Sequence, residues 1–365
     1  MYKALFFTAL TLFLMAPLFD VVNYLSGFDP GYFVKYFSLI FLLFGALNVS
    51  RGRIEKELIF PLLLFCYAIM SFILKTELID IGYVALSHLF YGISPFLAMA
   101  FGVYLAARHQ ENVERGVQKI AKVFVLGLLA LAVIYFCTDS LFLINPPSYS
   151  SGLVFAYVLS TQNIHVRGAK FWLLFFVDAF TGKRSSLVLW LFLIVKELRI
   201  YALFPLVFIA VITFCLSVYD LLPLRILAIF NPSHYTTEYG LSLISGGRSD
   251  EVFSVLDFLE SNHYSMLGAG FGKAYLLISP ITGWQEYRHY LHVTPITYFY
   301  VYGVFGALFY LNVVFTTFKL LRVKSCLLNF HLLVMVLSLS GATMLSNPLI
   351  WVVFGYLSSS KMKTI

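Results

Sequence analysis

The sequence predicts an all-α polytopic membrane protein of about twelve transmembrane helices, with one long external loop carrying short amphipathic helices. Three observations lead there. Hydrophobic residues make up 60% of the 365-residue chain and charged residues only 12%, about half the charged share of a soluble domain. The mean hydropathy is +0.86, more apolar surface than a water-excluded core of this length can take up, so the bilayer must act as solvent. Apolar runs that cross or nearly cross the hydrocarbon recur along the whole chain. The aromatic share of 18% fits wide lipid contact and interfacial belts.

The runs cover 4–19, 32–48, 58–74, 82–106, 121–137, 150–160, 171–181, 185–195, 200–218, 293–317, 326–343 and 347–358. They divide the chain into N-terminal helices (1–218), a long loop (219–292) and C-terminal helices (293–365). Met1-Tyr2-Lys3 and the apolar stretch to Phe19 read as an uncleaved first span, because Asp20-Val21-Val22-Asn23 follows without a small-x-small cleavage site. The short runs 150–160, 171–181 and 185–195 are tolerable only against protein or along a wet cavity. No repeat of fixed period is visible, which weakens a transporter of inverted repeats. Cys66, Cys137, Cys215 and Cys326 lie in or beside apolar runs without metal spacing, and a disulfide framework is not expected.

Charge sets the orientation. With a cytoplasmic N-terminus, 17 of the 25 lysines and arginines fall on the inner side and 8 on the outer. The net charge of +7 is then mainly a topology signal, and nucleic-acid binding has no support. This orientation places 219–292 outside. Within that loop Val252, Phe253, Val255, Leu256 and Leu259 recur at helical spacing, with Asp257 and Glu260 opposite. Ser249 or Asp250 is the expected cap of a short helix along the membrane surface.

Several residues are candidates for chemistry. Lys183 and Arg184 sit in Thr181-Gly182-Lys183-Arg184-Ser185-Ser186, on the side poor in cations. They either snorkel to headgroups or bind an anionic group, most simply a lipid-linked phosphate. Arg248 and Arg288 carry planar forked donors suited to phosphate. The alternative is that they are solvated and paired with Asp250, Glu251 or Glu286. Gly268-Ala269-Gly270-Phe271-Gly272 is a glycine-rich turn and, without a preceding strand, no dinucleotide fingerprint. His292, like its neighbour His289, is either a hydrogen-bonded boundary residue or a base toward a hydroxyl. His88 and Asp178 are ionisable residues inside apolar runs, and Asp178 has Arg184 or a neighbour as its expected partner. The chain lacks Asp-x-Asp, a Walker loop, His-Glu-x-x-His and Cys-x-x-Cys, and Asp250-Glu251 is a poor cation cage.

The order of these pieces, Gly182-Lys183-Arg184-Ser185, Gly247-Arg248, Gly268-x-Gly270-x-Gly272 and His292…Gly303…Gly306, resembles the O-antigen polymerase (Wzy-type) and O-antigen ligase superfamily. The resemblance covers roughly the C-terminal half. It implies a glycosyltransferase in the bacterial inner membrane that acts on undecaprenyl-diphosphate-linked oligosaccharide at the periplasmic face, without metal, nucleotide sugar or other cofactor. The residues fit that chemistry: His292, as the nearest base, and Arg288, as a cation facing the leaving group, are the expected catalytic residues. Arg184, Arg248, Lys183, Gly268, Gly270 and Gly272 are the expected diphosphate-binding set, and a chain-length regulator a possible partner. Val293 follows the histidine where the ligase-like pattern has Asn, which favours polymerase over ligation to lipid A–core. A flippase or transporter of the lipid-linked unit is the reading from another class, and it expects short external loops.

Overall fold

The computed structural model describes residues 1–15, 19, 31–49, 56–75, 83–137, 149–179, 184–203, 205–207, 209–210, 240–245, 247–279, 283–289, 291–321, 323–339 and 347–359. It is 81% helical. The helices are α1 (Tyr2–Leu14), α2 (Gly31–Val49), α3 (Ile59–Lys75), α4 (Tyr83–Cys137), α5 (Tyr149–Ser160), α6 (Ala169–Ala179) and α7 (Arg184–Leu198). After the loop's α8 (Gly240–Ser245) and α9 (Arg248–Ser261) come strands β1 (Tyr275–Ile278) and β2 (Gln285–Arg288), then α10 (Thr294–Tyr302), α11 (Val304–Leu320), α12 (Cys326–Leu339) and α13 (Pro348–Ser358). Among the described residues, two helical segments, Lys56–Leu74 and Val84–Arg108, are long and apolar enough to cross a membrane. Tyr2–Leu14, Val304–Leu320, Cys326–Leu339 and Pro348–Ser358 are apolar but shorter. Most of the run 200–218 lies outside the described residues.

Three expectations about elements are corrected. The runs 82–106 and 121–137, expected as two spans joined by an inner loop, form the single 55-residue helix α4. The polar stretch 107–120 contains no proline, and Val113, Val117 and Ala121 continue a fully buried i, i+4 stripe through it, so nothing ends the helix there. The run 293–317 breaks at Gly303 into α10 and α11. The loop is not purely helical: β1 and β2 pair antiparallel, Tyr275 opposite Arg288 and Ile278 opposite Gln285.

The chain forms two compact units that interleave along the sequence. The first takes Met1–Tyr36, Glu111–Thr237 and Lys324–Leu337. Its core joins the rings of Phe13, Phe155 and Phe330, with centroids 5.2–5.8 Å apart, and packs Trp190 against Tyr157 and Phe171. The buried Asp178 carboxylate accepts from Ser186 and from Trp190 Nε1 on α7. Those two bonds hold α6 against α7 and explain the ionisable residue in an apolar run.

The second unit takes Phe37–Gln110, Glu238–Val323 and Ser338–Ile365. Pro95 leaves the carbonyl of Tyr91 without its usual i+4 donor inside α4. Tyr298 Oη on α10 donates to that carbonyl at 3.2 Å, and Tyr302, one turn later, donates to the carbonyl of His88. Two tyrosines at helical spacing thus grip the proline-bearing turn, which fixes α10 against α4. Asn347 caps α13, accepting from Leu349 N at 3.0 Å with Pro348 in the first turn.

Candidate functional site

The site is built on α9. Gly247, in the left-handed region at φ 82°, is the N-cap of this helix, so Ser249 and Asp250 lie within its first turn and are not its cap. Ser242 Oγ donates to Asp250 at 2.5 Å, tying α8 to the turn. The helix ends in a Schellman turn: His263, at φ 56°, donates to Glu260 O, and Tyr264 N donates back to Leu259 O at 2.9 Å. The Tyr264 and Phe258 rings then meet at 6.0 Å, the apolar contact that usually accompanies this turn.

The buried face of α9 is Glu251, Val255 and Leu259. This differs from the expected apolar face, since Phe253 and Leu256 are exposed. The stripe at i, i+4 and i+8 runs backward onto a carboxylate. Glu251, with its side chain 2% exposed, gathers three of the residues singled out by sequence. Its Oε1 accepts from Arg248 Nη1 at 2.9 Å, Arg288 Nη1 at 2.8 Å and His292 Nδ1 at 2.8 Å. Its Oε2 accepts from the His292 backbone N–H at 3.0 Å. The three donors stay partly open, with side chains 33%, 22% and 29% exposed. Arg288 also donates through Nε to Glu286 at 2.8 Å, and its guanidinium lies 5.9 Å from the centroid of the Trp284 ring.

The electrostatics follow from that geometry. Burial alone would push the Glu251 carboxyl up. The side-chain and backbone hydrogen bonds from His292, with the charges of His292 and Arg248, outweigh it and hold the group below the usual carboxylate range. Glu251 is therefore ionised at neutral pH and only accepts. Burial works against the charge on Arg288, and Glu286 and Glu251 more than offset it. Because an ionised Glu251 only accepts, Nδ1 of His292 is the donor, and whenever the ring is neutral its lone pair is on Nε2. This is the arrangement of a base held in one tautomer by a carboxylate.

The remaining candidates fall elsewhere. Arg288 and His292 do not share a helix face: Arg288 ends β2 and α10 starts only at Thr294. They meet through Glu251 instead. The N–H groups of the glycine turn are taken within the fold. Gly268 N donates to Tyr264 O, Ala269 N to Tyr300 O, Gly270 N to Val301 O and Gly272 N to His88 Nδ1. The turn closes the end of α10 rather than offering donors outward. A Cβ on Gly268 would lie 2.3 Å from Val301 O, and one on Gly303 would lie 2.5 Å from Gly268 N. The two glycines pack backbone to backbone, with φ of 74° and 61°. His88 donates a hydrogen bond through Nε2–H to His289 O at 2.8 Å and so pins the loop to α4. Arg184 opens α7 in the first unit, while its side chain and all of Lys183 lie outside the described residues.

Glu251 is the residue that sequence reasoning undervalued. It appeared there only as a partner for solvated arginines or a weak cation ligand. The available signal was its place on the Val255–Leu259 stripe, one turn back, where a charge has to be paired. Among the described residues, no three His, Cys, Asp or Glu side chains cluster so as to hold a metal ion. No family model matches the chain, and neither a curated protein nor a solved structure is similar to it.

Proposed function

We propose that the chain is a metal-independent glycosyltransferase of the bacterial inner membrane, the O-antigen polymerase of Wzy type. On this reading it joins undecaprenyl-diphosphate-linked repeat units at the periplasmic face. The observation that carries the reading is the convergence of Arg248, Arg288 and His292 on the buried carboxylate of Glu251. Arg248 lies some forty residues before Arg288 and His292, and all three, singled out from the sequence as candidates, share one anchor.

The chemistry divides among them. An acceptor sugar hydroxyl attacks the anomeric carbon of the donor. The new C–O bond forms as the bond to the lipid diphosphate breaks, and the hydroxyl proton passes to His292 Nε2. Glu251 holds the imidazole in the tautomer that can receive it. Arg248, engaged through one Nη, and Arg288 face the charge growing on the leaving diphosphate. Arg184 and Lys183 are assigned to the diphosphate as well, on sequence grounds. Two elements long and apolar enough to span a membrane agree with a lipid-borne substrate. A chain-length regulator is the protein partner such a reaction would call for.

Two measurements test this. In a deletion strain the lipopolysaccharide ladder should collapse to core carrying one repeat. Core carrying none would shift the reading to ligase or flippase. With purified protein and lipid-linked repeat units, His292→Ala should lower the rate by ~10²–10⁴-fold. Arg288→Ala should cost a comparable factor, and the double variant should fall far short of the product of the two. Independent, mild effects would move the chemistry away from this cluster.

A further inference from the structure

We propose that the face of the β1–β2 hairpin formed by Trp284, Glu286 and Arg288 is a saccharide-binding subsite, which seats a hexopyranose ring of the glycan beside the reacting centre. The proposal rests on the glycosyltransferase reading and gives the site its means of recognising sugar. Its basis is a continuous strip of side chains. Alternation along β2 puts Glu286 and Arg288 on one face and Gln285 and Tyr287 on the other. Arg288 touches everything on its own face. Its Nε bonds Glu286, its guanidinium lies over the Trp284 ring, and its Nη1 reaches Glu251, which holds His292.

Exposure rises along the strip from the reacting centre outward. The side chain of Glu251 is 2% exposed, that of Arg288 22% and that of Glu286 40%, and Trp284 at the far end is 51% exposed. A pyranose ring presents a patch of C–H bonds on one face and hydroxyls around its rim. A half-exposed indole gives the C–H patch an apolar plane. A carboxylate and a guanidinium at its edge give the rim an acceptor and charged donors. Glu286 spends Oε2 on Arg288, which leaves its orientation fixed and its other oxygen in position to accept from a hydroxyl. An acyl chain would desolvate this ion pair without adding a hydrogen bond to it, so the composition of the face selects a polar, ring-shaped ligand over lipid.

The opposite face supplies an internal control. Tyr287 is 71% exposed, more than Trp284, but the alternation turns it away from Arg288 and Glu286. If bare aromatic exposure were what mattered, Tyr287 would matter more. The full-length protein, in lipid nanodiscs, would be titrated with two probes. One is the repeat-unit oligosaccharide released by mild acid from the strain's own lipid-linked pool, and the other is inorganic pyrophosphate. Trp284→Ala should weaken oligosaccharide binding by about tenfold. Pyrophosphate binding should stay unchanged. Trp284→Phe should stay within about threefold of the parent, since it keeps an aromatic plane in a half-exposed position. Tyr287→Ala should leave both probes unaffected. Unchanged oligosaccharide binding in Trp284→Ala, or an equal loss in Tyr287→Ala, overturns the subsite. Pyrophosphate binding without any oligosaccharide binding by the parent overturns the subsite but not the diphosphate chemistry. Failure of both probes on the parent protein overturns both.

Discussion

Glu251 has to be ionised, buried and fully bonded at once, and its neighbours make that possible. Four donors meet its two oxygens, one of them the backbone N–H of His292. Replacing it by Gln keeps the shape but removes the charge, and puts an amide with N–H groups of its own among those donors. Glu251→Gln should lower the turnover of lipid-linked repeat units by about 10²-fold through loss of imidazole orientation. The sign of the pH dependence follows from the depressed carboxyl. The stabilisation is fully present above the ordinary carboxylate value of 4.5 and is lost as pH falls through the lower folded value. Protection of the α9 amides, measured as exchange relative to the intrinsic rate at each pH, should therefore fall only at pH below 4.5, and Glu251→Gln should remove that acid step. An α9 that loosens between pH 5 and 7 in the parent would contradict it. Sequence singled out the three donors by residue type and by their place in the long loop, not by a shared helix face. It did not make the acceptor legible, because Glu251 next to Asp250 looks like any solvated acidic pair until the helix face is known. At Arg184 the sequence alone carries the expectation: both Arg184→Lys and Arg184→Ala should lose long-chain polysaccharide at normal protein level, with Lys183→Ala milder. Full function in Arg184→Ala would remove it from the diphosphate.

Among the elements, the glycine turn and the α10–α11 break form one construction. Ala269 N and Gly270 N of the turn donate to the Tyr300 and Val301 carbonyls at the end of α10, and Val304 N answers with a bond to Met266 O at 3.1 Å. That mutual capping explains the recurrence of glycine at 268 and 303: both lie where a side chain would strike backbone. Gly303→Ala adds a Cβ 2.3 Å from Met266 O at a φ of 61°, and should destabilise the protein by about 1–3 kcal/mol. Gly127→Ala is the matching control. It lies in α4 with nothing within 4 Å and should be neutral or slightly stabilising. Thermal melts in one detergent distinguish the two, and equal shifts would mean that the close approach carries no energy. The glycine pattern was readable, yet its purpose was not, because the partners are carbonyls some thirty residues away. The hairpin was missed for a related reason. Tyr275–Ile278 and Gln285–Arg288 are only four residues each, too short for alternation to stand out from a loop. Helix α4 shows the opposite case: the polarity of 107–120 predicts an inner loop, whereas its buried Val113–Val117–Ala121 stripe keeps the helical period.

For the whole molecule, composition carried the helical, apolar character, and the two elements long enough to span agree with it. The number of crossings was less legible, because several apolar helices are short of a full span and one continuous helix replaces two expected ones. Orientation is the property on which the functional reading depends most. The sequence expectation, seventeen cations against eight with 82–106 and 121–137 counted as separate crossings, has the N-terminus inside and residues 219–292 outside. On the proposed reading this is the face on which a lipid-diphosphate-linked glycan would be joined. Alkaline phosphatase fused after Ser279 should be active, and fusions after Lys122 or Lys324 should be silent. The Lys122 fusion carries particular weight, because Lys122 follows Arg108, Arg115 and Lys119 along the uninterrupted α4 and tests whether that basic stretch stays inside. Activity after Lys122 or Lys324, with silence after Ser279, would place Glu251, Arg248, Arg288 and His292 on the cytoplasmic face. Their cations would then count toward the inner excess, and a donor presented from the outer leaflet could not reach them.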